Sequence, residues 1–562
     1  MFTTRKVLPT LALGAMLMAA CTASTPKKEG EVENPKPEKT GEHNTPAPAK
    51  KLTLSLDDLK AYEIKDGDAG KPIEFKLENG MTGWAVKMPQ QLPMATPAVS
   101  DGRLFVGGGF GSYDFYCIDA ETGKMIWQVR TTDDGPTGAV VSGDYVAYNT
   151  ESCTLEIRLC SNGELVWGRW LGDPLMSQPA IADGRVLMCW PTGGGFGNAT
   201  PALPPEEQHP EDEIAPDKDG DPVPQTADQP KAVETSSGAG AVKRGTIAQG
   251  GITVKGEGSH AIGCFDLKSG KVYWAQAVPG DCISAPVVEG GIVFASTLDG
   301  TLTQIDLKTG ELLGQKKQNA TSAPWVALED GKPEAICAQR ETETTVVDGK
   351  EVQVHYEGWR RFDRGSHAQG DIQQRQSADY LDRRVVAENA YYGSASKSAQ
   401  DSGVGFGSAP STAKAGDAEQ NVGEGSIVGL WAFQGSRPLV HKGKLYNCLG
   451  NTVSGGDTAG DKVEWELTYR PDRKERLLSP PAAAGGQLIF AGLDGAVFSV
   501  DSESGELTHA MKLNKSFVFQ PAVMDGKIYL CTQDGWLIAI DTGDEALSGW
   551  SMWGGGPAHN GK

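Results

Sequence analysis

The segment Tyr116–Trp127 reads YCIDAETGKMIW, and a close copy, GCFDLKSGKVYW, recurs at Gly263–Trp274. Each copy joins one apolar run to a turn and then to a second apolar run that ends in tryptophan. The carboxylate of Asp119 can accept hydrogen bonds from nearby backbone amides, and Gly123 can take the left-handed conformation that a tight turn demands. The segment therefore predicts a strand, a turn and a second strand that recur along the chain.

These copies belong to a longer repeating unit. Consecutive units open about 38 to 43 residues apart, except across two gaps of more than 100 residues. That period is typical of four-stranded propeller blades. The residues that open the units are Pro97, Gly138, Pro179, Pro286, Pro324, Pro438, Pro481 and Pro521. The sequence thus predicts an all-β fold: an eight-bladed β-propeller of four-stranded antiparallel blades with two long loop insertions.

Recurring Asp, Gly and Trp residues are expected to build the blades. The Asp and Gly form the turn of each unit, and the Trp occupies an equivalent outer-strand position where a large flat side chain covers the seam between blades. Asp-Gly pairs such as Asp534-Gly535 predict a second, two-residue hairpin turn. The predicted structural blade motif comprises Asp119, Gly123, Trp127, Trp167, Asp266, Gly270, Trp274, Asp306, Gly310, Trp465, Asp501, Gly505, Asp541 and Gly543.

The two ends of the repeat region are predicted to meet in one blade. The segment Gly80–Pro89 resembles an outer strand with its own Trp84 but lacks three strands before it, while the last unit ends at Gly543 without an outer strand. An open ring would leave exposed sheet edges, which promote aggregation. We therefore expect the N-terminal segment to complete the last blade.

The first residues indicate the compartment. Arg5 and Lys6 precede an apolar stretch too short to span a bilayer, and LMAAC at Leu17–Cys21 resembles the lipobox of bacterial lipoproteins. The predicted organisation is a signal peptide at 1–20, a lipid anchor on Cys21, a disordered tether at 21–52, the propeller at 53–548 and a tail at 549–562. The alternative is an ordinary secretory signal cleaved near Ala20.

Two insertions interrupt the repeat, at about 191–258 and 364–429. The first lies between the second and third strands of the third blade and has the composition of solvated disordered chain. The second contains a stretch that favours a short helix before a Gly/Ser-rich run. Both are expected to project from the rim, where loops meet partners.

Nine cysteines besides Cys21 cannot all pair within one chain. Six of them occupy second-strand or third-strand positions of the blades, where a small residue fits, and are expected to be buried thiols that act as small apolar side chains. If the Asp-Gly turn is a two-residue hairpin, these positions face opposite sides of a blade, which argues against a bridge between Cys189 and Cys264. Whether Cys153 and Cys160 pair across a hairpin stays open. The second-strand set is Cys189, Cys337, Cys448 and Cys531, and the third-strand set is Cys117 and Cys264.

The units resemble the PQQ-like, quinoprotein-type propeller repeat, and AETGKMIW is similar to the tryptophan-docking motif of that family. With the lipobox, the chain resembles the BamB-like outer-membrane assembly lipoproteins. The resemblance implies a non-catalytic protein-binding scaffold, monomeric, anchored in the cell envelope and facing the periplasm from the outer membrane. Its partners would be envelope proteins, and no cofactor is predicted.

Two other functions are alternatives to this scaffold. A quinoprotein dehydrogenase would use PQQ and calcium and needs a carboxylate base and flat groups around the quinone, but the chain has no Cys-Cys pair like the one common in those dehydrogenases. A glycan or small-ligand site would use Trp359, Tyr391 and Tyr392 for stacking. A net charge of -21 repels phosphate backbones, so no nucleic-acid partner is predicted.

Overall fold

The computed structural model describes residues 49–192, 231–235, 240–249, 251–362, 375–377 and 438–547, apart from 110, 137, 151–152, 172–176, 298, 318–319, 321–322, 330–331, 348–349, 450, 458–462, 473–477 and 518. These residues fall in one compact unit. They form 36 strands and no helix, so this part of the chain contains no helix suited to crossing a membrane. The predicted signal peptide, Cys21, the predicted C-terminal tail and most of the second insertion, with Tyr391 and Tyr392, lie outside the described residues.

Three strands precede the first repeat: β1 (Lys50–Leu54), β2 (Pro72–Lys76) and β3 (Thr82–Lys87). The first sheet contains β4 (Ala98–Ser100), β5 (Arg103–Gly107), β6 (Asp114–Asp119) and β7 (Met125–Arg130). The second contains β8 (Val140–Ser142), β9 (Tyr145–Asn149), β10 (Thr154–Leu159) and β11 (Leu165–Trp170), joined by β14 (Lys231–Thr235) and β15 (Thr246–Gln249). The third contains β12 (Ala180–Ala182), β13 (Arg185–Pro191), β16 (His260–Asp266) and β17 (Val272–Val278).

The fourth sheet contains β18 (Val287–Glu289), β19 (Ile292–Ser296), β20 (Thr301–Asp306) and β21 (Leu312–Lys317). The fifth contains β22 (Trp325–Glu329), β23 (Lys332–Val347), β24 (Lys350–Phe362) and β25 (Arg375–Ser377). The sixth contains β26 (Pro438–His441), β27 (Lys444–Leu449), β28 (Thr452–Asp457) and β29 (Val463–Tyr469), with β1 on its outer edge. The seventh contains β30 (Ala482–Ala484), β31 (Gln487–Ala491), β32 (Ala496–Asp501) and β33 (Leu507–Lys512), and the eighth contains β34 (Ala522–Met524), β35 (Lys527–Cys531), β36 (Trp536–Asp541), β3 and β2.

In most of the sheets, though not in the second, the first hairpin uses a two-residue turn in which both residues have positive φ. In the first sheet these are Asp101 (φ 48°) and Gly102 (φ 69°). Such a turn matches the right-handed twist of the flanking strands, and Asp followed by Gly tolerates both positive angles. The Asp-Gly pair therefore sets the register in which β4 pairs with β5.

The second hairpin departs from the two-residue turn that the sequence predicts. In the eighth sheet the amide of Thr532 donates to the carbonyl of Trp536 at 3.0 Å, and only Gly535 of the intervening residues has positive φ, at 75°. The loop therefore has three residues, with glycine in the left-handed position. One extra residue shifts the strand register by one, so Cys531 pairs with Leu537.

This shift makes the predicted cysteine geometry wrong. In the third sheet Cys189 pairs with Ile262, and Cys264 pairs with Leu187. Paired residues share a face, and so do residues two apart on a strand, so Cys189 and Cys264 lie on the same face. Both thiols are nevertheless free.

The eighth sheet joins strands from both ends of the repeat region, as predicted. β3 pairs antiparallel with β36, with Trp84 opposite Ala539. β2 adds outside β3, which the sequence analysis did not foresee. The last strand of the repeat region therefore does not end in a free edge.

Parallel strands cover other outer edges. β15 lies parallel to β11, so the expectation of disordered chain is wrong for this part of the first insertion. β1 lies parallel to β29, which corrects the predicted tether, because residues 50–52 are already in a strand. Single bridges continue the same arrangement, from Tyr62 to Leu513 and from Lys255 to Gln276. The backbone groups of the outer strands thereby gain partners.

The fifth sheet contains a long hairpin that the sequence analysis missed. β23 and β24 pair continuously from Ala335 opposite Phe362 to Val347 opposite Lys350. The other sheets have second and third strands of at most seven residues. This hairpin therefore extends well past the normal end of a second strand, and it precedes the second insertion.

The apolar core lies between successive sheets. One cluster combines Leu439 and Trp465 of the sixth sheet with Phe490 and Phe498 of the seventh, and the other large clusters combine neighbouring sheets in the same way. First strands also contact one another, including β34 of the eighth sheet and β4 of the first. Burial on both faces explains why the strands are apolar runs.

Candidate functional site

Five tryptophans link one sheet to the next. Each indole is buried at the seam, and its N–H donates to a backbone carbonyl of the following sheet. The donors and acceptors, with N–O distances, are Trp84 and Ala120 (3.2 Å), Trp127 and Cys160 (3.0 Å), Trp167 and Leu267 (2.9 Å), Trp274 and Leu307 (2.9 Å), and Trp465 and Ser502 (3.2 Å). A buried indole needs such a partner, so each pair fixes both packing and orientation.

The accepting residue occupies one place in the repeat, directly after the third strand. Its own amide donates to the first turn of its sheet, as from Leu267 to Gly184 at 3.0 Å. The carbonyl of Leu267 meanwhile accepts from Trp167 of the preceding sheet. The residue after the third strand therefore links two turns of its own sheet through its amide and contacts the neighbouring sheet through its carbonyl.

Glycine in the following turn provides the surface on which the tryptophan packs. A Cβ added at Gly270 would lie 2.7 Å from Cδ2 of Trp167, and one at Gly310 would lie 2.5 Å from Cγ of Trp274. Gly123, Gly163 and Gly505 show the same close approach to the preceding tryptophan. These glycines also have positive φ, so a side chain is disfavoured both by the backbone conformation and by the lack of space.

Asp residues at the end of the third strand hold the same turn. Oδ1 of Asp266 accepts hydrogen bonds from the amide and the hydroxyl of Ser269, at 2.8 and 2.7 Å. Burial raises the pKa of Asp266, but these bonds and one from Tyr273 outweigh it and hold that pKa below its usual value. The carboxylates of Asp119, Asp306 and Asp501 accept equivalent bonds from the residues that follow them.

Not every motif residue takes part in docking. Oδ1 of Asp541 accepts from the amide of Gly543, but no atom of the described residues lies within 4 Å of a Cβ placed on Gly543. In the fourth and seventh sheets, Gly314 and His509 stand where other sheets have tryptophan. The seams that follow the fourth and seventh sheets therefore lack a docked indole.

Two arginines that the sequence analysis missed reinforce the docking. Nη1 of Arg103 donates to the carbonyl of Cys160 at 3.0 Å, and Nη1 of Arg185 donates to that of Leu307 at 2.7 Å. These two carbonyls are also acceptors for Trp127 and Trp274. Both arginines follow an Asp-Gly turn, so the recurring triplet Asp-Gly-Arg was the available signal.

A fully buried ion pair supports another docking turn, at Gly163. Nη2 of Arg158 lies 2.7 Å from Oε2 of Glu156, and both side chains have no exposed area. Nη1 of Arg158 donates to the carbonyl of Gly163, and Tyr148 completes the group by donating to Glu156 and accepting from Arg158. Burial raises the pKa of Tyr148 well above its usual value, so its hydroxyl stays protonated. Charges this deep are tolerated because they are paired and hydrogen-bonded.

The cysteines whose side chains are described are all free and buried. Cys153 and Cys160 lie in different core clusters, which argues against the pairing that the sequence left open. Burial raises the pKa of Cys117 to about 12, so its thiol is a poor nucleophile. These thiols act as small apolar side chains in the seams.

A cleft of about 390 Å³ opens where the eighth sheet meets the first. Asp101, Arg103, Asp119, Glu121 and Lys527 contribute charged groups to its lining. Nζ of Lys527 lies 2.9 Å from Oε2 of Glu121, so an ion pair already crosses this seam. In the part of the chain that the structure describes, no group of three or more His, Cys, Asp or Glu side chains forms a metal site.

The aromatic residues proposed for a glycan site are not brought together by described contacts. Trp359 lies in β24, opposite Ala338, and the two tyrosines lie outside the described residues. Other large apolar side chains are exposed on the surface: Leu59, Tyr273, Leu312, Leu313 and Leu507. Leu312 and Leu313, in the outer strand of the fourth sheet, are 41% and 36% exposed.

A family model described as outer membrane protein assembly factor BamB matches residues 73–157, 214–398 and 450–557, which is more than half of the chain. The chain belongs to the BamB family. BamB of Yersinia pestis is 23% identical over 224 residues, covering 36% of this chain and 51% of that protein. The chain thus matches about half the length of this curated relative.

Two solved structures are similar to this chain at low identity. BamB from Moraxella catarrhalis is 13% identical with a TM-score of 0.43, and the match covers 84% of this BamB-family chain and 98% of that one. The quinohemoprotein alcohol dehydrogenase from Comamonas testosteroni is 11% identical with a TM-score of 0.46, covering 83% and 77%. At these scores neither likeness distinguishes a scaffold from an enzyme.

Proposed function

We propose that this BamB-family chain is a non-catalytic protein-binding scaffold of the cell envelope that takes part in outer-membrane protein assembly. The observation that carries the proposal is the family match over more than half of the chain. The proposal includes a lipid on Cys21 that anchors the chain to the membrane, with the body facing the periplasm and working as a monomer.

The use of the repeat motif supports a structural rather than a catalytic role for it. Asp266 and Gly270 build a turn, and Trp167 is buried against that turn with its N–H bonded to a carbonyl. A group engaged in this way is not available to hold or polarise a substrate. The motif that the chain shares with quinoproteins is therefore accounted for by packing.

The eight sheets are proposed to be the blades of one ring. Contacts between first strands link most of the neighbouring sheets, and β34 of the last sheet contacts β4 of the first. Trp84, brought into the eighth sheet by β3, docks on Ala120 of the first sheet. A ring of this kind gives a rigid frame from which rim loops can reach partners.

The described residues do not fit a pyrroloquinoline quinone site with calcium. The flat faces of the docking tryptophans are covered by the turns of neighbouring sheets, as Gly310 covers Trp274. Within the described ranges, acidic side chains do not converge with other ligands as a cation site. Both observations support a non-catalytic role for the repeat motif.

Site-specific photo-crosslinking tests the scaffold function. The photoreactive residue replaces, one at a time, the exposed apolar side chains Leu59, Tyr273, Leu312, Leu313 and Leu507, with exposed Lys124 as the matched control. In intact envelopes we expect at least one apolar position, but not the control, to crosslink to a component of the outer-membrane β-barrel assembly machinery. If the chain is recovered without a crosslinked partner from every substituted position, the proposal fails. Dye-linked alcohol oxidation with saturable binding of PQQ would also contradict it.

The anchor is tested separately by fractionation. Cys21→Ala should move the protein from the membrane fraction to the soluble periplasmic fraction, because one missing acyl-bearing residue removes the hydrophobic attachment. A Cys531→Ala variant serves as control, since Cys531 is buried in the eighth sheet. Persistent membrane attachment of Cys21→Ala would remove the lipid anchor from the proposal.

A further inference from the structure

The outer edge of the fourth sheet differs from most other outer edges of this fold. A parallel strand or a parallel bridge from elsewhere in the chain lies against the outer strands of the second, third, sixth and seventh sheets. Within the described ranges, no strand pairs with the outer edge of β21, which ends the fourth sheet. An edge of this kind presents backbone donors and acceptors to which a further strand can add.

β21 is also more exposed than β7, which ends the first sheet in the same way. β7 buries Trp127 and Val129, whereas every residue of β21 is exposed or half-buried and both of its leucines are exposed. Gly314 stands where other sheets have the docking tryptophan. Among the described residues, only Oε1 of Gln304, at 3.8 Å, lies within 4 Å of a Cβ placed on Gly314. The edge of β21 therefore has open space beside it.

The covered edges show what kind of strand fits such a position. β1 lies parallel to β29, and its Leu52 and Leu54 pack against the core cluster of the sixth and seventh sheets. β15 lies parallel to β11, and its Ile247 is buried. Each covering strand thus adds in parallel and directs aliphatic side chains at the body of the protein. We expect a strand that covers β21 to share both properties.

Charge complementarity accompanies this pairing. Nζ of Lys51 in β1 lies 2.8 Å from Oε1 of Glu466 in β29, so the covering strand is basic there and the covered edge is acidic. β21 carries the opposite charge, because it ends in Lys316 and Lys317 and contains no acidic residue, although Glu311 lies just before its start. Opposite charges on neighbouring strands stabilise their pairing. A strand parallel to β21 should therefore carry Asp or Glu near its C-terminal end, beside the two lysines.

We propose that the outer edge of β21 binds an extended segment of another envelope protein, which adds to the fourth sheet as a parallel strand. The segment carries aliphatic side chains at alternate positions and Asp or Glu toward its C-terminal end. The inference rests on the proposed scaffold function and specifies how that scaffold binds. Main-chain hydrogen bonds supply the affinity of such an added strand, and its side-chain contacts supply the specificity.

Photo-crosslinking that reports the direction of the bound segment tests this proposal. In intact envelopes, p-benzoylphenylalanine replaces Leu312 or Lys317, at opposite ends of β21, and the crosslinked peptides are sequenced by mass spectrometry. Glu466, on the edge that β1 covers, is the matched control. We expect both positions in β21, but not the control, to crosslink to one segment of one partner. The residue reached from Leu312 should lie N-terminal to the residue reached from Lys317, as parallel pairing requires.

The other outcomes contradict the proposal in distinct ways. The reverse order of crosslinked residues shows an antiparallel strand. Crosslinks to this chain itself, or to a second copy of it, show that the edge is covered without a partner. If Leu312 and Lys317 give no crosslink while Leu59 or Leu507 does, the edge site is refuted and the scaffold function stands. If none of these positions crosslinks, both proposals fail.

A charge reversal tests the acidic character of the partner segment. Lys317→Glu places like charges side by side and should lower the crosslinking yield from position 312 by at least about threefold. Lys124→Glu, in an exposed turn of the first sheet, is the control and should leave that yield unchanged. Both lysines are exposed, so neither change removes a core contact. An unchanged yield in Lys317→Glu would refute an acidic partner segment.

Discussion

Gly270→Ala should destabilise the protein much more than Gly184→Ala, although both glycines lie in turns of the third sheet. Their φ angles are 65° and 70°, so alanine pays a similar backbone cost at each. That cost is about 1 kcal/mol for a residue in the left-handed region. Only the surroundings of the new methyl group differ between the two sites.

At Gly270 the added Cβ would lie 2.7 Å from Cδ2 of Trp167 and 2.9 Å from Cγ2 of Val242. At Gly184 no atom of the described residues lies within 4 Å of the new Cβ. Overpacking of a tight core costs about 1–3 kcal/mol. We therefore expect a loss of about 1 kcal/mol for Gly184→Ala and about 2–4 kcal/mol for Gly270→Ala.

Equilibrium unfolding in urea, followed by tryptophan fluorescence, measures both losses if the slopes of the transitions agree. In a Trp167→Leu background, Gly270→Ala should lose most of its excess destabilisation, because the ring that the new methyl group would contact is absent. Equal losses in the two glycine variants would refute the docking role of Gly270. So would an excess cost that persists after Trp167 is shortened.

The other predictions use the same unfolding assay. Glu156→Gln leaves a buried arginine charge unpaired and should cost about 3–5 kcal/mol, whereas Glu466→Gln at the edge of the sixth sheet should cost less than about 1 kcal/mol; similar losses would contradict the burial argument. Trp167→Phe should lower the free energy of unfolding by about 1 kcal/mol more than Trp127→Phe does. In the Trp127 variant, Arg103 still donates a hydrogen bond to the carbonyl of Cys160 that loses its bond from the indole. A larger loss for Trp127→Phe would refute this. Since the folded pKa of Asp266 is depressed, its contribution is present above the unfolded pKa of about 4 and lost as pH falls through the folded value. Asp266→Asn should therefore lose less stability on acidification than the wild type, and parallel pH profiles would contradict the assignment.

The periodic features of the fold could be predicted from the sequence because each repeat carries its own turn chemistry. The positions of Asp119, Gly123 and Trp127 follow from local rules for turns and strands. The completion of the last sheet by β3 was also predictable, since Gly80–Pro89 is an isolated fourth strand beside a unit that lacks one. These inferences need only the pattern within and between the units.

Features that depend on a single residue or on a distant segment could not be predicted from the repeat pattern. The faces of Cys189 and Cys264 were predicted wrongly because a three-residue loop and a two-residue loop look alike at an Asp-Gly pair. β15 was missed because it contributes only a few residues and is stabilised by pairing with β11, a tertiary contact. Gly163 was omitted because Leu159 replaces the usual Asp of the turn, although the glycine still receives Trp127.

Docking tryptophans and receiving turns are lost together at the seams that follow the fourth and seventh sheets. The fifth sheet has the long β23–β24 hairpin and no motif turn among its described residues, and the fourth sheet before it carries Gly314 in place of tryptophan. The eighth sheet obtains its outer strand from β3, so Gly543 leads to no such strand, and the seventh sheet before it carries His509. A large indole without a receiving glycine turn would expose apolar area, which costs about 25 cal/mol per Å². The choice of residue in one sheet is therefore set by the loop structure of the next, so the insertion in the fifth sheet constrains the sequence of the fourth.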